Sequence, residues 1–95
     1  MKNAIKINEK DYFIEQNIKE GFVLNDVEEK MTDYFDDYDY IVGDWAYGKL
    51  RLKGFYEQKN QKVKNINNIK FLEKYLKEQC AFGCKYFVLK RVYKP

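Results

Sequence analysis

The chain has 95 residues, and its 18 Lys/Arg and 15 Asp/Glu leave a net charge of +3, a size that suits one domain with one core. It contains no His and no Ser, a single Thr, a single Pro and two Cys. Catalytic triads built on an imidazole base are thereby excluded, as are His-ligated zinc and any four-ligand Cys/His site within one chain.

Residues 4–7 and 12–18 are β-branched and aromatic runs flanking Asn8-Glu9-Lys10-Asp11, the pattern of a hairpin. After Gly21, Asn25 and Glu28 have the spacing of a capping box, with Asn in the cap position. Val27, Met31, Tyr34, Phe35 and Tyr38 then recur at helical spacing, which predicts a helix to about Asp36. Tyr40-Ile41-Val42 reads as a short strand ended by a loop over 43–48, Gly43-Asp44-Trp45-Ala46-Tyr47-Gly48. From Lys49 to Tyr56 the chain alternates, with Leu50 and Leu52 on one face and Arg51 and Lys53 on the other. Gly54 falls in register with the leucines and marks a bulge or a close backbone contact. Residues 57–68 are polar and suit a loop. A second helix starts after Asn67 or Asn68, buries Ile69, Leu72, Tyr75, Leu76 and Cys80, and ends near Gly83, whose type suits a left-handed cap. Lys85 to Tyr93 is the last strand. The order ββαββαβ predicts a single α+β domain over 1–95. Its mainly antiparallel sheet has about five strands with two helices on one face.

Hydrophobic residues make up 45% of the chain and aromatics 18%, enough to fill a core because each large aromatic buries ~150–250 Å². No apolar run approaches the ~18 residues that span a membrane, and the first residues lack a signal-peptide pattern. A cytoplasmic protein with no membrane association is expected, with Cys80 and Cys84 as reduced thiols. The small net charge hides a division. Residues 1–48 carry 5 basic and 12 acidic side chains, a balance of −7, whereas 49–95 carry 13 and 3, a balance of +10. Either the second half presents a basic binding face, or the halves interleave and neutralise each other.

Tyr38-Asp39-Tyr40-Ile41-Val42-Gly43-Asp44-Trp45, then Tyr47-Gly48, then Leu50-Arg51-Leu52-Lys53-Gly54-Phe55 resembles the core signature of the YutD-like family of small bacterial proteins. Cys80-Ala81-Phe82-Gly83-Cys84, followed by Tyr86-Phe87-Val88-Leu89-Lys90, resembles its C-terminal signature. The resemblance implies a compact mixed α/β fold, with two β layers and one helical layer as the alternative arrangement, and carries no catalytic residues with it.

Four constellations carry chemistry. In the 43–48 loop, Trp45 and Tyr47 can stack on a ring while Asp44 accepts hydrogen bonds; the structural alternative makes Trp45 a lid on the core. Lys49, Arg51 and Lys53, joined by Lys90 if its strand lies alongside, form a basic, aromatic-edged sheet face of the kind that holds RNA or DNA; a solvated lysine face is the alternative. Lys90 and Arg91 fall on opposite faces, so only one can share the face of Arg51. Asp33, Asp36, Asp37, Asp39 and Asp44 gather carboxylates without the order of a calcium loop, so no metal site is assigned. Cys80 and Cys84 lie four apart around a helix end, which suits two packed thiols, a reversible disulfide or part of a shared zinc site. No catalytic spacing is found, no catalytic residue is assigned and no cofactor is expected. The expected function is binding or regulation, with nucleic acid at Asp44, Trp45, Tyr47, Lys49, Arg51, Lys53 and Lys90 as the first reading. A protein partner docked on the acidic Tyr/Asp helix end is the second, and a small carboxylate- or Cys-based enzyme or metal protein the third.

Overall fold

Alternation along the strands decides this architecture, because two of them are apolar on both faces and must be covered twice. A computed structural model describes residues 3–79 and 83–92. β1 (Asn3–Ile7) and β2 (Lys10–Ile18) form the first hairpin, α1 (Leu24–Lys30) follows, and β3 (Tyr40–Ala46) and β4 (Lys49–Phe55) form the second. α2 (Leu72–Gln79), entered through a 3₁₀ turn over Ile69–Phe71, leads to β5 (Tyr86–Arg91). The five strands make one sheet in the order β1-β2-β5-β3-β4, and every neighbouring pair is antiparallel.

In β3 and β5, Ile41, Phe87 and Leu89 point to one face and Val42 and Val88 to the other. The first face is closed by α1 and the segment after it, through Val27, Met31 and Phe35. The second is closed by α2, through Leu72, Tyr75 and Leu76. The domain is thus α+β with a five-stranded antiparallel sheet, as expected, but the strands make one β layer rather than two and the helices lie on opposite faces of it. Placing both on one face is corrected by the double burial of the two inner strands, which a one-sided arrangement leaves open to water.

Three local expectations also change. α1 ends at Lys30 and the chain re-enters a 3₁₀ turn at Asp33–Phe35, because Met31 adopts an extended conformation (φ −76, ψ 115). Its N-cap is Val23, without a side-chain cap bond, rather than Asn25. Gly43, Asp44 and Trp45 belong to β3, so the loop shrinks to a two-residue turn at Tyr47 (φ 54) and Gly48 (φ 75), the backbone that suits the twist of a hairpin. At the second helix, Asn68 accepts from the Lys70 amide and opens the helical segment where expected.

Gly43 and Gly54 mark close approaches. A Cβ on Gly43 would lie 2.1 Å from Cζ of Phe87, and one on Gly54 would lie 2.2 Å from Cγ of Tyr38. Both rings lie on the α1 face and fill space that a side chain on the strand would take. Gly43→Ala should therefore cost about 3 kcal/mol and lower the melting temperature by ~10 °C or more. Thermal denaturation checks this, and Phe87→Leu in the same chain should recover part of the loss.

Candidate functional site

Asp44 stands in the central part of the sheet, 1% exposed, with no apolar reason to be there. Arg51 answers it from the register partner on β4: Nε donates to Oδ1 at 3.0 Å and an Nη to Oδ2 at 2.7 Å. That nitrogen also donates to the carbonyl of Gln79 at the end of α2 at 2.8 Å. The two-pronged pair satisfies the buried carboxylate, holds the Arg51 guanidinium above its ordinary pKa and ties α2 to β4. Trp45 is half-buried against the α1-side core, donates its indole N–H to the Gly21 carbonyl at 2.7 Å and carries Lys85 Nζ 4.7 Å above its ring. It serves as the lid that the sequence allowed. Tyr47 alone of that group is fully exposed, at the hairpin tip.

The basic residues do not form one flat patch. β3 separates β4 from β5, so Lys90 lies across an intervening strand from Arg51 and Lys53. α2 packs over the middle of that same face. Lys53 Nζ sits over the rings of Phe55 (5.3 Å) and Tyr75 (5.8 Å), Lys90 reaches Tyr40 (5.8 Å) and Glu57 (3.8 Å), and Lys49 is exposed near the turn. Arg91, on the other face, donates to the carbonyl of Asp36.

Four of the five carboxylates in the run are answered within the chain, Asp44 by Arg51 as above. Asp36 pairs with Lys10 (2.9 Å), Asp37 with Lys62 (2.8 Å), and Asp39 accepts from the Glu57 amide and Asn60. Among the described residues no three acidic or thiol side chains converge as a metal-holding group. Cys84 is disulfide-bonded, which corrects the expectation of two reduced thiols. Gly83 turns the chain just before it with φ 76, and Cys80 lies outside the described residues.

Sequence reasoning missed the outer edge of β4. A groove of ≈ 450 Å³ runs between that edge and α2, lined by Phe55, Ile66, Phe71, Lys74 and Tyr75 among others. A second, of ≈ 200 Å³, lies on the opposite face beside Tyr34, Tyr38 and Leu52, and Ile66 and Lys53 border both. Ile66 is 75% exposed and Tyr34 68%. The Tyr34 and Tyr38 hydroxyls are 3.1 Å apart, and this hydrogen bond, with burial, pushes the Tyr38 pKa up to about 12. An apolar Ile inside a polar loop was the signal available in the sequence.

These features define a small α+β domain, a sheet held between helices with grooves along one edge strand. The chain matches the family model described as "Putative antitoxin YutD-like" over residues 6–90. It is 46% identical to the putative antitoxin YutD of Bacillus subtilis (strain 168) over 90 residues, covering 95% of this chain and 99% of that one. A solution NMR structure of protein yutD from B. subtilis superposes with a TM-score of 0.80 at 44% identity, over 97% of this chain and 84% of that chain. The chain belongs to the YutD-like family. Among the described residues no helix is long and apolar enough to cross a membrane.

Two outcomes follow from the geometry. Arg51→Met strands the Asp44 carboxylate in the sheet and should cost about 3 kcal/mol, whereas Asp44→Asn leaves a half-exposed Arg51 that water can reach and should cost about 1 kcal/mol; urea denaturation compares them. Tyr34→Phe should bring the Tyr38 pKa down from about 12 toward the ordinary 10.0, read by NMR of labelled tyrosine ring carbons. The sign follows from the raised value: Tyr38 contributes stability in full below pH 10 that is lost as pH rises through about 12, and Tyr34→Phe should shrink that alkaline loss.

Proposed function

We propose that this chain is a binding module whose partner is another protein. The observation that carries the reading is the outer edge of β4, where two grooves meet beside the exposed Ile66 and Tyr34. Exposed aromatic and large apolar side chains gathered at one place are the mark of a protein contact. The description of the family as putative antitoxins supports the same reading, since an antitoxin is defined by the toxin it counters.

A nucleic-acid surface built from Asp44, Trp45, Tyr47, Lys49, Arg51, Lys53 and Lys90 has less support. Phosphate binding needs several cations gathered to meet a backbone, and here Arg51 is held by Asp44, Lys90 lies across β3 beside Glu57, and Trp45 is tied to Gly21, which leaves Lys49 and Lys53. The acidic helix end contributes through its tyrosines rather than its carboxylates, because Asp36 and Asp37 already hold lysines of the same chain.

A tagged copy expressed in its native cells should retain one defined protein in stoichiometric amount through size exclusion at high salt. Ile66→Asp, at an exposed position, should release it, and Tyr47→Ala, at the far end of β4, should not. Retention of nucleic acid alone, removed by nuclease and falling steeply with salt, would overturn the reading.

A further inference from the structure

The β4 edge is already used once by the chain itself. Tyr56, just past the strand, donates its amide to the Asn67 carbonyl at 2.7 Å and accepts from the Ile69 amide at 2.9 Å, a parallel bridge to Asn68. Backbone groups on a strand point outward at every second residue. Tyr56 therefore sets the phase: Gly54 and Leu52 present their N–H and C=O to the same side, away from β3. Among the described residues no hydrogen bond to these outward groups is found. The two grooves flank this stretch, one on each face of the sheet. An open row of backbone donors and acceptors between two side-chain grooves is the arrangement that receives an added strand, whose own side chains alternate between the faces.

We propose that the open stretch of β4 from Leu52 to Gly54 takes up an extended segment of a partner protein as an added strand, with apolar side chains toward Tyr34, Tyr38 and Leu52 and acidic side chains toward Lys53 and Lys74. This rests on the protein-binding reading above and specifies its mode. Charge selects the occupant. The groove on the α2 face is bordered by Lys53 and Lys74 against the single carboxylate of Glu78, and Lys49 stands exposed further along the same edge. A second copy of this chain is disfavoured, because two β4 edges paired antiparallel about Leu52 would bring Arg51 of one copy opposite Lys53 of the other, and like charges directly opposite are destabilising. The same lysines that guard the edge against self-association thus suit a segment alternating apolar and acidic residues.

The probe is a short synthetic peptide alternating valine with glutamate. Titration into the labelled protein should shift the amide resonances of Leu52, Gly54 and Ile66, and replacing its glutamates by lysines should weaken binding about tenfold or more. Two N-methylated versions, blocked at one or the other alternate set of amides, separate backbone pairing from simple groove filling: one should lose binding about tenfold or more and the other keep it. Equal binding of both versions, or shifts confined to residues away from β4, would overturn the proposal. So would a dimer of the free protein in sedimentation that Leu52→Pro abolishes, since the edge would then belong to a second copy. A native partner retained equally by the wild type, Leu52→Pro and Ile66→Asp would overturn strand addition while leaving protein binding intact. Retention of nucleic acid alone would overturn both.

Discussion

The Asp44 carboxylate imposes the condition around which this fold is arranged. A charge taken out of water in the middle of a sheet requires a cation held in good geometry, and breaking such a pair from one side is costly. Arg51 meets the requirement from the adjacent strand and extends to the Gln79 carbonyl, so one guanidinium links β3, β4 and the end of α2. The register of the second hairpin and the seat of the second helix are thereby coupled. Slipping β4 by one residue would move Arg51 to the α1 face and leave Asp44 alone.

The two oppositely charged halves of the chain do not make two surfaces. β3, from the acidic half, is inserted between β4 and β5 from the basic half. Lys62 meets Asp37 and Arg51 meets Asp44 across the two halves, while Lys10 pairs with Asp36 within the first and Lys90 with Glu57 within the second. The exposed pairs contribute little each. Among the basic-face residues it is Arg51 that Asp44 withdraws, while Lys49 and Lys53 stay available along the β4 edge, whose mix of apolar grooves and lysines is the more distinctive surface.

Much of the fold is legible in the residue order. The alternation of Leu50, Arg51, Leu52 and Lys53, the hairpin around Asn8-Glu9, and the helical stripe of Leu72, Tyr75 and Leu76 each appear where periodicity places them. Gly43 and Asp44 misled for a physical reason. Gly and Asp favour turns, yet here Gly43 makes room for Phe87 and Asp44 answers Arg51, and both partners come from other strands. The single helical face running from Val27 to Tyr38 likewise conceals a break at Met31, because a 3₁₀ turn keeps Val27, Met31, Phe35 and Tyr38 facing the core while Tyr34 turns outward.

The residues by themselves determined the number and order of elements, the exclusion of imidazole chemistry and membership of the family. Local pattern suffices for these, because side-chain period and missing residue types are properties of the chain alone. Strand order, the placing of α1 and α2 on opposite faces, and the union of Tyr34, Leu52 and Ile66 at one edge were decided by the tertiary structure. Those depend on which surfaces must be hidden together. β3 and β5 are apolar on both sides, and only packing in three dimensions distributes the helices to cover them and leaves β4 with one side open.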